Sequence, residues 1–187
     1  MMSKQVDRLK ENLPSHDLVG QIMEENDQYL TFRLHGDLYA FGILNVKEIL
    51  EYSNVTRVPM MPEFIQGVIN LRGEVVPVIN LARRFDMPAQ AITKRTCVII
   101  IEVVNDGQHQ DLGVMVDMVS EVLDIPASDM RNTPGFGAQI RTDFIRNMGK
   151  LGEDFVIILD EDRVLSVDEL AMVDEITKHV PPHGKTA

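Results

Sequence analysis

Tryptophan is absent from this chain, aromatic residues make up only 5% of it, and there is a single cysteine, Cys97. One thiol can close no internal disulfide and can found no cysteine-based metal framework, so a reducing compartment is expected. Basic residues are scarce: 18 Lys and Arg stand against 29 Asp and Glu, a formal net charge of −11. Such a field repels polyphosphates, which excludes nucleic acid as an expected partner. Long apolar runs are missing as well. The longest, residues 97–101, falls far short of the roughly 20 residues of a membrane span, and Met1-Met2-Ser3-Lys4-Gln5-Val6-Asp7 has no apolar segment behind its positive charge. A cytoplasmic location without membrane insertion is the expectation.

The chemistry of catalysis is also thin. Neither G-x-x-x-x-G-K-[ST] nor G-x-G-x-x-G occurs, so no phosphate-cradling loop is available. His16, His35, His109, His179 and His183 are scattered among turns and termini with no cysteine nearby to share a metal, so no zinc or iron site is expected. Cys97 heads an apolar run and reads as an inert core thiol. No serine nucleophile motif is present. The carboxylate pairs Glu153-Asp154 and Glu161-Asp162 lie in polar, turn-like stretches and read as solvated surface. No enzymatic activity, cofactor or metal is expected.

What is present is enough for one compact domain: 187 residues, 44% hydrophobic and 25% charged. Residues 1–27 carry apolar side chains at helical spacing (Val6, Leu9, Leu13, then Leu18, Val19, Ile22, Met23) interrupted by Pro14, and read as an N-terminal arm, partly helical or flexible. From Tyr29 the period becomes two. Leu30, Phe32 and Leu34 alternate with polar neighbours, His35-Gly36-Asp37 is a turn, and residues 38–43 resume the alternation, which predicts a β-hairpin. Further strands are expected at 68–71 and 75–79 around Arg72-Gly73-Glu74, at 97–104 and 112–116 around Asn105-Asp106-Gly107, and at 155–159. Pro77 argues for an edge or bulged position. Many short strands with frequent turns indicate small closed barrels or a sandwich. Ser166-Val167-Asp168-Glu169 is a capping box, and Leu170, Val173 and Ile176 follow at helical period, predicting a C-terminal helix at about 167–179 that Pro181-Pro182 stops.

The β region occurs twice. Residues 39–50 align without a gap on residues 112–123 at a shift of 73, and Phe64-Ile65, Leu71 and Gly73-Glu74 correspond to Phe144-Ile145, Leu151 and Gly152-Glu153 at shifts of 80, 80 and 79. Ordered landmarks at nearly constant shift indicate a structural duplication, two similar β subdomains with a shared interface. The halves differ at Asn70-Leu71-Arg72-Gly73, whose counterpart Lys150-Leu151-Gly152 has no arginine. A guanidinium on that turn can pair with a carboxylate in planar two-point geometry, and Glu48 is the expected partner. An acidic β protein with a groove between similar halves fits protein recognition through apolar surface.

Three stretches carry a family resemblance. The series Ile43-Leu44-Asn45-Val46-Lys47-Glu48-Ile49, the string Pro62-Glu63-Phe64-Ile65-Gln66-Gly67-Val68-Ile69-Asn70-Leu71-Arg72-Gly73 with Val76-Pro77-Val78-Ile79, and residues 113–122 resemble the CheW family of bacterial chemotaxis coupling proteins. The likeness runs from about Gln28 to Glu175, leaving 176–187 as the helix end and a loose tail. Asn80 departs from it, standing where members often carry aspartate. The resemblance implies a mostly β fold of two SH3-like five-stranded barrels with a shared interface and a C-terminal helix, spanning residues 28–175. It implies a non-enzymatic adaptor, recruited to membrane receptor arrays, that bridges the cytoplasmic tips of methyl-accepting chemoreceptors to the regulatory domain of the histidine kinase CheA. It further implies a receptor-binding groove at Val46, Glu48, Gly67, Arg72, Val119 and Val122. In that groove the valines supply apolar contact, Gly67 a close backbone approach, and Glu48 with Arg72 an ion pair; the residues that meet the kinase are not identified.

Two other readings compete. A coupling protein of a parallel chemosensory pathway, serving pili, surface sensing or second-messenger output, has the same pattern. A small barrel hydrolase using exposed carboxylates is the enzyme alternative, and it requires a pocket holding acids of perturbed pKa.

Overall fold

The computed structural model describes residues 28–133 and 142–179; the N-terminal arm at 1–27 and the tail beyond 179 lie outside the described residues. Among the described residues eleven strands form: β1 (Gln28–Leu34), β2 (Asp37–Gly42), β3 (Val46–Glu51), β4 (Ile65–Leu71), β5 (Glu74–Asn80), β6 (Cys97–Asn105), β7 (Gln108–Val116), β8 (Met118–Asp124), β9 (Met130–Arg131), β10 (Ile145–Leu151) and β11 (Asp154–Leu159). The helices are α1 (Leu81–Arg84) and α2 (Val167–His179). Tight two-residue loops make the hairpins. Three have positive φ at both loop positions: His35-Gly36, Arg72-Gly73 and Asp106-Gly107. Such mirror-image turns match the right-handed twist of paired strands.

The strands divide between two sheets, ordered β3-β6-β7-β5-β4 and β8-β1-β2-β11-β10-β9. Read outward from β3 and from β8, the pairings repeat: antiparallel, antiparallel, parallel, antiparallel. Even the irregularities coincide. A bulge falls between Ile65 and Gly67 in one sheet and between Ile145 and Asn147 in the other, and Asn80 N–H donates to Phe64 O (2.7 Å) as Asp160 N–H donates to Phe144 O (2.9 Å). Neither sheet is contiguous in sequence, since the hairpin β1–β2 sits among strands from the second half and β6–β7 among strands from the first.

Three sequence expectations are corrected by this arrangement. Among the described residues the sheets have five and six strands instead of five each, and no ladder joins the edge strands into closed barrels. Among the described residues a single bridge, Thr56 to Val68, carries the chain after β3 back onto β4. Pro77 lies in a strand flanked on both sides; the ladder to β7 begins at Val78, so the missing proline N–H falls outside it. The hairpin registers Leu71↔Glu74 and Leu151↔Asp154 align the two turns at a shift of 80, which places Arg72 opposite Gly152, not beside it.

Burial sorts into three clusters. The largest joins both sheets and contains Leu30, Phe32, Phe41, Ile49, Ile79, Ile99, Ile101, Leu112 and Val114, together with Leu170 and Val173 of α2. Each sheet also curls over a smaller cluster of its own, Ile69, Val76, Val78, Val98, Ile100 and Met115 in one, and Ala40, Ile125, Val156 and Ile158 in the other. The capping box forms reciprocally: Glu169 N–H donates to Ser166 Oγ (3.2 Å) and Ser166 N–H to Glu169 Oε1 (3.0 Å).

Candidate docking site

After β2 the chain leaves one sheet through a single 3-10 turn, Ile43–Asn45, and enters the other as β3. In β3 a register shift falls between Val46 and Glu48. Because a bulge adds a residue to one strand, Val46 and Ile49, three apart, both enter the shared core, and Glu48 is re-aimed outward. The same device operates in β8, where Val119 and Val122 are three apart and both pack on that core.

Glu48 meets the hairpin of β4 and β5. Arg72 Nη2 stands 3.0 Å from Glu48 Oε2, with the arginine side chain 76% exposed and the glutamate 21%. Arg72 holds φ at 54°, and the position opposite it in the other sheet is Gly152, at φ 62°. A side chain at that backbone conformation costs about 1–2 kcal/mol relative to glycine, so the fold places an arginine where backbone preference favours none. Gly67, at φ 151°, lies against the Thr56 bridge: a Cβ there would sit 2.2 Å from Thr56 O and 2.9 Å from Val55 Cγ1.

The structure therefore brings Glu48 and Arg72 into contact and sets Gly67 at a close backbone approach. The valines differ from the expected apolar surface. Val46 and Val119 are buried within the shared core and Val122 is half-buried against it, because the bulges turn them inward. A cavity of about 610 Å³ opens elsewhere, beside the exposed Met60 and lined by Arg57, Ile65, Gln66, Arg83 and Ile92; none of the six expected groove residues lines it. Among the described residues, no group of three His, Cys, Asp or Glu side chains is placed to hold a metal ion, and no helix is long and apolar enough to cross a membrane.

Comparison with known proteins decides the family. Residues 28–169 match the model of the CheW-like domain. The chain belongs to the CheW-like family. It is 38% identical over 151 residues to the chemotaxis protein CheW of Klebsiella aerogenes, covering 81% of this chain and 89% of that one. To the CheW of Bacillus subtilis it is 33% identical over 144 residues, 76% of this chain and 89% of the relative. The crystal structure of the scaffolding protein TtCheW from Thermoanaerobacter tengcongensis superposes with a TM-score of 0.69 at 32% identity, over 77% of this chain and 97% of that one. CheW-like proteins are chemotaxis scaffolds and adaptors, not enzymes.

Several polar contacts were not expected from sequence. Lys47 Nζ binds Asp111 (2.7 Å) and Glu102 (3.1 Å), and His109 Nδ1 lies 2.9 Å from Glu102. Burial works to lower the Lys47 ammonium, but its hydrogen bonds to Asp111 and Glu102 carry it above the usual lysine range. The hydrogen bond from Lys47 holds Glu102 below the usual carboxylate range. Arg84 lies over the rings of Phe64 (5.3 Å) and Phe144 (4.6 Å), which occupy matching positions in the two halves, and binds Glu169 at 2.8 Å. The phenylalanines were visible as repeat landmarks, whereas nothing local marked Arg84 as the cation between them. Glu161, expected on a solvated surface, is 1% exposed. One of its oxygens accepts from Gly42 N–H (2.8 Å), and the other meets Arg146 Nη2 (3.1 Å). The departure at Asn80 costs no contact, since its Oδ1 accepts from Arg83 N–H at 3.2 Å and caps α1.

Proposed function

We propose that this chain is a non-enzymatic coupling protein that bridges the cytoplasmic tips of transmembrane chemoreceptors to a CheA-type histidine kinase and transmits receptor state to kinase activity. Family membership supports the reading, and the observation that carries it at residue level is the Arg72–Glu48 pair on a turn whose counterpart is Gly152. The guanidinium reaches Glu48, a contact that the glycine at the matching position of the other sheet cannot make. In this reading Glu48 and Arg72 present the polar edge of the receptor groove. Gly67 lets the Thr56 backbone approach, and Val46, Val119 and Val122 set the spacing of the sheets beneath the groove. The protein is then recruited from the cytoplasm to receptor arrays at the membrane.

Coupling of this kind is thermodynamic. An adaptor transmits a signal only if its contacts differ between the partners' signalling states, and about 1–3 kcal/mol of coupling is typical. The test is reconstitution of CheA autophosphorylation with cognate receptor signalling fragments, with and without this protein. Receptor-dependent stimulation by the wild type, lost in Arg72→Ala while the fold persists, is the expected result. No stimulation with any cognate kinase overturns the reading.

A further inference from the structure

The two sheets close equivalent positions by different chemistry. At shifts of 73 and 80, Gly42 of β2 and Glu161, in the turn after β11, correspond to Met115 of β7 and Leu81, which opens α1 after β5. Met115 and Leu81 are both buried apolar side chains. Gly42 and Glu161 instead form a glycine facing a buried carboxylate: a Cβ on residue 42 would come within 3.4 Å of Glu161 Oε1. The carboxylate reaches three parts of the chain. It accepts from Gly42 N–H at the end of β2, hydrogen-bonds the Asn45 side chain in the crossover turn, and pairs with Arg146 of β10 at 3.1 Å. Its neighbour Asp162 accepts from Val104 N–H of β6 at 2.9 Å, in the other sheet. Asp160 lies on the same cation, 3.5 Å from Arg146. Residues 160–162 thus tie the second half of the chain to the crossover and to the sheet it enters.

We infer that Glu161 is a positioning residue for the partner site: its carboxylate fixes the crossover turn Ile43–Asn45 and so sets where β3 seats Val46 in the core and presents Glu48. The residue is buried, so it touches no partner itself. Its burial raises the carboxyl above the usual range, against the opposing pull of Arg146. A buried carboxylate of this kind is a poor device for stability, because a buried ion pair exchanged as a whole for well-packed apolar side chains is often neutral or stabilising. What it supplies is geometry: one carboxylate bonds Gly42 and Asn45, at either end of a turn that joins the sheets, and ties them to Arg146 of β10. The inference rests on the receptor-coupling reading for its functional half and on the crossover geometry alone for its structural half.

Glu161→Leu installs the side chain that the other sheet uses, and Glu161→Gln keeps an oxygen for Gly42 N–H but removes the charge. Hydrogen exchange of the amides at 42–48, thermal stability and affinity for a receptor signalling fragment are measured on both variants and on Arg72→Ala. The Leu variant is expected to stay folded, its released Arg146 being partly exposed to solvent, while exchange at 42–48 accelerates and receptor affinity falls about tenfold, the scale of one lost hydrogen bond to a charged group. Partial rescue of both exchange protection and affinity by Gln completes the expectation. Wild-type exchange at 42–48 in the Leu variant overturns the inference. So does a loss of affinity that only tracks a falling melting temperature. If the wild type binds no receptor fragment, the coupling reading fails separately, and the exchange measurement still decides whether Glu161 holds the crossover.

Discussion

Arg72 and Gly67 are opposite uses of unusual backbone. At Arg72 the conformation is tolerable to any small residue and ideal for glycine, as Gly152 demonstrates in the matching turn. Arg72→Gly is therefore expected to leave the protein as stable as the wild type or up to about 1 kcal/mol more so, as urea denaturation reads it, while kinase coupling is lost with the Glu48 pair. At Gly67 there is no such latitude. A methyl group there meets backbone, not a movable side chain, so Gly67→Ala is expected to cost about 3 kcal/mol and to free the Thr56 and Val68 amides for hydrogen exchange. The spacing of Arg72, Glu48 and Gly67 was legible in the sequence because each is a local peculiarity within a recognisable string. The inward turn of Val46 and Val119 was not. A bulge changes which face a strand residue takes without altering the residue types, and period-two reading assumes no bulge.

Among the elements, the C-terminal helix was the most legible. Its capping box forms as the four residues suggest, and Ser166→Ala is expected to lower stability by about 1 kcal/mol, readable as a drop in melting temperature. Hairpins whose loops contain Asp-Gly, His-Gly or Arg-Gly were legible for the same reason, since the positive φ values they need are announced by glycine. Strand β9 and the six-strand count were not, because two residues, Met130 and Arg131, carry no periodicity. Glu161 escaped notice through its context. Flanked by Asp160 and Asp162 it resembles solvated surface, and only the fold shows that the middle carboxylate of the three turns into the protein.

For the molecule as a whole, the charge cluster on β3, β6 and β7 adds to the loss of stability in acid. Glu102 titrates below its ordinary range in the folded state, held there by Lys47. The unfolded chain therefore binds its proton first as pH falls, and the stability contributed by this pairing is present above the ordinary carboxylate range and lost below it. Lys47→Met is expected to flatten the slope of stability against pH on the acid side, measured by urea denaturation from neutral pH downward. The strand exchange between sheets has a consequence of another kind. Each repeat lends its first hairpin to the sheet of the other, which is the geometry of a domain-swapped dimer whose two copies have been joined end to end through residues 81–96. Neither repeat can complete a sheet while alone on the ribosome, and a cut in that connecting stretch yields two fragments that each need the other's hairpin. Such fragments are built to find one another again.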